Sequence, residues 1–192
     1  MNRNQTNIMK ITGLGLLTAM VIVLQMLGSF IHFGMFSISL VLIPIVVGTA
    51  LFGIVGGSWL GFVFGLTVLL TGDANAFLAI SVPGTVITVL CKGTFAGLAS
   101  GLVYRMLEKK GTLIATVAAA IVCPIVNTGI FVLGCILFFM DTITAWANGA
   151  NIAIYMIFGL GVINFIPELL INLVLSPAVV QVINIGKKKF LK

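Results

Sequence analysis

Five polar side chains interrupt the long apolar runs of this sequence and could together bind a small molecule. Lys92, Asn127 and Glu168 lie in three different apolar runs. Asn164 and Asn172 lie four residues before and after Glu168, so these three share one face of a helix. A charge within a membrane costs roughly 2.5–3.5 kcal/mol on insertion scales unless it is paired or hydrated. The pattern therefore predicts one polar cluster shared by three helices.

Two interpretations of this cluster are open. In the first, Lys92 and Glu168 form a structural ion pair and the amides cross-link helices. In the second, the cluster lines a polar cavity open to the outside, where Lys92 meets an anionic or carbonyl group of a ligand. Asn127, Asn164 and Glu168 would then supply hydrogen bonds to that ligand. Both interpretations hold if the ion pair exists only in the empty state.

Polar and aromatic residues in the segments between apolar runs predict a lid over this cavity. Asp73 and Asn75 follow one run, and Trp146 follows another. The same segments also carry further candidates for contact: His32, Phe33, Phe36, Phe77, Asn148 and Asn151. Two simpler explanations stay open, because Trp146 is also typical of an interfacial aromatic belt and asparagines are common turn formers.

The sequence argues against catalysis and against a metal or another cofactor. Cys91, Cys123 and Cys135 lie singly in apolar runs, and His32 is the one histidine. An intramembrane enzyme would need a nucleophile with its base, or a metal cluster, at membrane depth. The sequence has no Walker motif, so we expect that the chain does not hydrolyse ATP itself.

The composition indicates which elements must position these residues. The chain has 192 residues, of which 60% are hydrophobic and only 7% charged, against about 25% charged in a soluble domain. A membrane span needs about 20 apolar residues. We therefore predict an all-α integral membrane protein, with residues 1–192 forming a single domain that binds substrate. Its six transmembrane helices are expected at Ile11–Ile31, Ile38–Phe52, Ser58–Leu70, Gly84–Leu107, Leu113–Met140 and Ile154–Ile185.

Proline and glycine modify this pattern in several places. Pro44 predicts a kink in the second helix, and the segment Gly53–Gly57 predicts a tight turn before the third. Residues 76–82 could form a short re-entrant or interfacial piece, and residues 141–151 are predicted to be a polar loop.

The distribution of basic residues sets the predicted orientation. With six spans and a cytoplasmic start, the inner segments hold nine basic residues and the outer loops hold none. The nine are Arg3, Lys10, Arg105, Lys109, Lys110, Lys187, Lys188, Lys189 and Lys192. Cytoplasmic loops of membrane proteins carry such an excess, so both termini are predicted to be cytoplasmic. The positive charge therefore indicates membrane topology. It does not indicate nucleic-acid binding, because no face combines basic and aromatic residues.

Small residues recur at intervals of four. They form two glycine stripes, at positions 57, 61 and 65 and at positions 93, 97 and 101. Gly15 and Ala19 are a similar pair in the first helix. Such residues let helix backbones approach closely. The contact is either packing within the bundle or docking of a partner protein, and for Gly15 and Ala19 a partner helix is one candidate.

The chain resembles the substrate-binding membrane subunits, or S components, of energy-coupling factor (ECF) transporters over essentially its whole length. The stretch Gly15-Leu16-Leu17-Thr18-Ala19 is similar to the family's Ala-x-x-x-Ala pattern, with Gly at its first position. The glycine-rich run from Gly48 to Gly65 and the stretch Lys92 to Leu98 resemble the riboflavin/pantothenate-type group.

The resemblance implies a function and partners. An S component captures a vitamin or related micronutrient from outside at high affinity. It then associates with a transmembrane coupling subunit and two ATPase subunits, and is thought to topple in the membrane to release substrate. The pattern at Gly15 and Ala19 would dock the coupling subunit.

The substrate and two rival functions stay open at this point. Lys92 favours a substrate with a carboxylate or another anionic group, such as pantothenate, whereas Glu168 would suit an amine or a ring nitrogen. Riboflavin, pantothenate and an unassigned heterocycle are all compatible with the sequence. The rivals are a stand-alone secondary transporter, coupled to protons through Glu168 or Asp73, and a membrane scaffold subunit without a ligand.

Overall fold

Long apolar helices make up almost the whole structure. The computed structural model describes residues 3–30, 32–33, 36–37 and 40–190, and the side chains within 8–30, 40–163 and 165–188. Its helices are α1 (Arg3–Gly28), α2 (Leu42–Thr71), α3 (Asn75–Leu78), α4 (Val82–Leu107), α5 (Thr112–Phe138), α6 (Met140–Ala147), α7 (Ile152–Ile154) and α8 (Ile163–Phe190). A 3₁₀ turn at Glu108–Lys110 follows α4, and a π-helix at Tyr155–Val162 joins α7 to α8.

Two short strands follow α1. β1 (His32–Phe33) and β2 (Phe36–Ser37) pair antiparallel, with His32 opposite Ser37.

In the part of the chain that the structure describes, five helical stretches are long and apolar enough to cross a membrane. They cover Ile8–Gly28, Leu42–Thr71, Val82–Lys110, Thr112–Phe138 and Ile152–Lys188. These confirm the predicted all-α multi-pass membrane bundle.

The stretch that forms α2 is a hairpin of two helical arms. Gly53 interrupts it with a non-helical backbone, at φ 75° and ψ −168°. A Cβ built on Gly56 would lie 3.3 Å from the carbonyl oxygen of Gly48, and one on Gly57 would lie 3.2 Å from the Cβ of Thr49. Residues eight apart in a straight helix are about 12 Å apart, so the chain reverses at Gly53. Residues 42–52 are the first arm and residues 54–71 the second.

The hairpin yields the six predicted helical segments, with some corrected boundaries. The predicted turn at Gly53–Gly57 is confined to Gly53, so the third segment begins at residue 54 instead of Ser58. The predicted kink at Pro44 is absent from α2, because this proline lies in the first turn of the helix, where its missing N–H costs nothing. The prediction of a polar loop at residues 141–151 is wrong for residues 141–147, which belong to the helix α6.

The second arm of α2 and α4 pack with their backbones in contact. A Cβ on Gly65 would lie 2.8 Å from the carbonyl oxygen of Val89, and one on Gly57 would lie 2.9 Å from that of Gly97. Gly61 and Gly93 oppose each other so closely that any side chain would overlap the facing carbonyl group. The numbers rise on one helix as they fall on the other, so the helices are antiparallel. The two glycine stripes thus serve packing within the bundle.

The remaining helices complete two apolar cores. The larger core lies between α1, α2, α4, α5 and the end of α8. A second, separate cluster is built on α5, α6 and the π-helix, and it includes Phe77 of α3.

We predict that Gly61→Ala lowers the stability of the bundle by about 1–3 kcal/mol, because the new methyl group meets the backbone of Gly93 rather than a flexible side chain. The thermal midpoint of the purified protein in detergent measures this loss.

Gly129→Ala is the matched control. Gly129 lies in α5 with no atom within 4 Å of a built Cβ, and alanine favours a helix more than glycine does. Its midpoint should be unchanged or slightly higher. Equal losses in both variants would show that glycine matters here for reasons other than close packing.

Candidate substrate-binding site

Lys92 lies between two aromatic rings in the interior of the bundle. Its ammonium nitrogen is 5.6 Å from the ring centre of Phe64 on α2 and 5.5 Å from that of Phe131 on α5. Both distances fall within the range of cation–π attraction, which is stronger when the cation is removed from water. Lys92 immediately precedes Gly93 in α4, and Phe64 immediately precedes Gly65 in α2. Because Gly93 and Gly65 lie in the close contact between the two helices, the side chain of Lys92 reaches Phe64.

A buried carboxylate lies near this cation. Glu168 on α8 is 1% exposed and Asn127 on α5 is 0% exposed. The Asn127 amide Nδ2 donates a hydrogen bond of 3.2 Å to Glu168 Oε2. Glu168 and Asp73 both attract Lys92 electrostatically, Glu168 more strongly. The structure therefore brings three predicted residues from three helices, Lys92, Asn127 and Glu168, into one interacting group.

Asp73 connects this group to the first helix. Gln25 of α1 is 1% exposed, and its Nε2 donates a hydrogen bond of 2.5 Å to Asp73 Oδ2. The Thr71 hydroxyl donates to the same oxygen at 3.4 Å. Gln25 was not among the predicted site residues, although it is an amide within an apolar run, as is Asn127. This contact joins α1 to the loop after α2.

An aromatic cluster adjoins the cation. The ring of Phe77 on α3 makes edge-to-face contacts with Phe131 at 5.6 Å, with Phe139 at 5.1 Å and with Trp146 at 5.6 Å. Phe131 contacts both Phe77 and Lys92, so it connects the cluster to the charged group. Trp146 is half-buried on α6 and is one wall of this cluster.

Other predicted residues lie elsewhere or outside the described part. Asn75 is exposed on α3, with its side chain over Gly72, and the structure does not bring it to Lys92. Asn164 lies in the first turn of α8, and its side chain lies outside the described residues. Asn172 is 3% exposed, one turn beyond Glu168.

The predicted docking pair lies on the outer surface of α1. Gly15 and Ala19 are both exposed, and a Cβ built on Gly15 would meet no atom within 4 Å. The interpretation of Gly15 as a packing residue within the bundle is therefore wrong. The same face of α1 carries the exposed Ile8, seven residues before Gly15, and the exposed Ile22 and Met26, three and seven residues after Ala19.

The arrangement can bind a polar molecule. No three His, Cys, Asp or Glu side chains among the described residues could hold a metal ion together. The three cysteines are free thiols, and Cys123 and Cys135 are buried. One cation, one buried carboxylate, amides and aromatic rings are typical of a ligand site with fixed polar contacts.

Comparison with known proteins identifies the family. Residues 9–180 match the family described as the ECF transporter, substrate-specific component. The chain therefore belongs to this family of S components, and it is a membrane-embedded transport subunit rather than an enzyme. No curated protein and no solved structure matches the chain.

We predict that Asn127→Leu lowers the free energy of unfolding by about 1–3 kcal/mol, because it removes the amide that donates to the buried carboxylate. Thermal or denaturant unfolding in detergent measures the loss.

The double variant with Glu168→Leu tests the contact itself. Its free energy of unfolding should fall by clearly less than the sum of the losses in the two single variants. The reason is that the carboxylate of Glu168, which needs the amide of Asn127, is then no longer present. Losses that add to within about 0.5 kcal/mol would show that the two side chains do not stabilise each other.

Proposed function

We propose that this S component captures a vitamin-type substrate through an anionic or carbonyl group that binds Lys92. The observation that carries the proposal is the position of its ammonium group, between Phe64 and Phe131 within an apolar bundle. An ammonium group has three hydrogen-bond donors, and ring faces are weaker partners than an oxygen anion. A substrate oxygen would therefore give this ammonium group a direct, charge-assisted hydrogen bond.

The residues around Lys92 would recognise the rest of the substrate. Asn127, Asn164 and Glu168 supply amide and carboxylate groups, and Glu168 suits an amine or a ring N–H. The rings of Phe77, Phe131 and Trp146 support a substrate with a flat ring, since aromatic pairs gain about 0.5–1.5 kcal/mol beyond burial. Riboflavin and an unassigned heterocycle would use the ring contacts, whereas pantothenate, which has a carboxylate and no ring, would use Lys92 and the amides.

Asp73, Asn75 and Trp146 would form the outer boundary of the site. Asp73 is tied to α1 by Gln25, so substrate that contacts Asp73 also affects the first helix. The nine basic residues support a cytoplasmic location for both termini and for the other end of the bundle. Substrate would then reach the site from outside, within a single domain formed by residues 1–192.

The first helix would dock the energising partner. The exposed stripe at Gly15 and Ala19 offers a flat, close-packing surface to another helix. An S component works with an ECF module, and here we propose a transmembrane coupling subunit and two ATPase subunits. The absence of a Walker motif from the sequence accords with energy supplied by those subunits.

A panel of vitamins tests the proposed capture function. A substrate at 100 times its Kd should stabilise the purified protein by about 2.7 kcal/mol, visible as a higher thermal midpoint. The panel comprises riboflavin, pantothenate, thiamin, biotin, folate, pyridoxine and queuine-like bases. Lys92→Met should then weaken binding of the substrate about tenfold or more, since it removes a charge-assisted hydrogen bond.

Lys109→Met is the control, because Lys109 is exposed after α4. It should bind substrate like the unaltered protein. A substrate that binds Lys92→Met and the unaltered protein equally would remove Lys92 from the site. The scaffold alternative predicts that no compound in the panel raises the midpoint.

We further predict that Gly15→Leu and Ala19→Leu retain substrate binding but abolish ATP-dependent uptake in cells, because the larger side chain keeps the partner helix away. Met20→Phe is the control. It also adds bulk to an exposed position of α1, about 100° round the helix from Ala19 and about 140° from Gly15.

Two results would contradict the docking role. Loss of substrate binding in Gly15→Leu would mean that this face shapes the site. Uptake that continues without any ATPase subunit, and stops with a protonophore, would favour the secondary transporter.

A further inference from the structure

A second cavity lies at the opposite end of the bundle from the aromatic cluster. It has a volume of about 510 Å³ and lies between the turn of the α2 hairpin and the last turns of α4. The hairpin contributes residues 49–50 and 52–55, and α4 contributes Gly101, Tyr104 and Arg105, with Glu108 just beyond it. Tyr104 lies twelve residues beyond Lys92 in α4, about 18 Å along the helix, so this cavity is separate from the proposed substrate site.

The backbone of the hairpin makes this cavity suited to an anion. The second arm of α2 starts at Ile54, and Gly53, Ile54 and Val55 all line the cavity. The first N–H groups of a helix lack partners within the helix, and the helix dipole places positive charge at that end. A phosphate group is therefore stabilised at such a position.

The side chains add a second, independent indication. Tyr104 is 2% exposed, and its hydroxyl has no hydrogen-bond partner among the described residues. A buried hydroxyl without a partner is costly, which indicates that a further group is bound nearby. The guanidinium of Arg105 adds a positive charge and a fork of donors that matches phosphate geometry. Lys187 of α8 lies 5.3 Å from the ring centre of Tyr104 and adds a second cation.

Glu108 sets the remaining chemistry. Its carboxylate lines the same cavity, three residues beyond Arg105 and therefore on the same side of the chain. A purely anionic ligand would be repelled by it. A ligand with a phosphate and an amine would place the phosphate at Ile54 and Arg105, and the amine at Glu108.

We propose that this cavity binds the headgroup of a phospholipid that carries both a phosphate and a primary amine. The cavity lies at the end of α4, where an apolar helix gives way to the charged residues Arg105 and Glu108, so we expect it at the depth of lipid phosphates. A smaller cavity of about 250 Å³, lined by Lys10 and Ile11, shares Phe52 and Val55 with it. The apolar wall between the two cavities gives the acyl chains a surface to contact.

Lipid titration of the purified protein in detergent tests the proposal. Dioleoyl phosphatidylethanolamine should raise the thermal midpoint at lower concentration than dioleoyl phosphatidylglycerol, which has the same chains without the amine. Tyr104→Phe and Arg105→Gln should each raise the half-saturating concentration of the ethanolamine lipid about tenfold. Glu108→Gln should abolish the preference between the two lipids.

Lys109→Gln is the matched control, since it removes an exposed charge outside the cavity lining. It should leave both titrations unchanged. Equal stabilisation by both lipids in the unaltered protein would overturn the proposal. So would a full response to inorganic phosphate or O-phosphoethanolamine alone, which would assign the site to a soluble anion. An unchanged lipid response in Arg105→Gln, together with weaker association with the ECF module, would assign the cavity to a protein partner.

Discussion

The backbone contact between α2 and α4 is the constraint on which the rest of the bundle depends. Glycines face glycines along both helices, so the two backbones touch where side chains would otherwise separate them. This contact places Lys92 next to Phe64, because the neighbours of these two residues, Gly93 and Gly65, belong to the two stripes. In a membrane the hydrophobic effect contributes little to helix association, so such close packing is a principal source of stability. The geometry around Lys92 is thus a consequence of the helix contact.

The charged group is stabilised by contacts from several helices. Lys92 gains the faces of two rings, and Glu168 gains an amide hydrogen bond from Asn127. These contacts offset the cost of holding charge away from water. Because each contact joins different helices, a change in one of them also changes how those helices pack. Phe131 is the residue that connects the charged group with the aromatic cluster.

The sequence predicted the helical segments well, because the lengths of the apolar runs and the positions of the charged residues can be read directly from it. It also identified Lys92, Asn127 and Glu168, since a polar residue is conspicuous in an apolar run. It missed α6, whose polar and small residues resemble a loop, and it placed the α2 turn too broadly because three glycines are close together there. It missed Gln25 as well. In a membrane protein, lipid-facing and core-facing positions are both apolar, so periodicity did not show that Gln25 faces inward.

The first arm of α2 is too short to cross the bilayer by itself. Residues 42–52 span about 16 Å at 1.5 Å per residue, roughly half of a hydrocarbon core of about 30 Å. This arm is almost entirely enclosed by other helices, so most of its length faces protein rather than lipid. A helix that faces lipid must match the thickness of the hydrocarbon core, whereas an enclosed arm need not. The first arm can therefore be short without straining the surrounding bilayer.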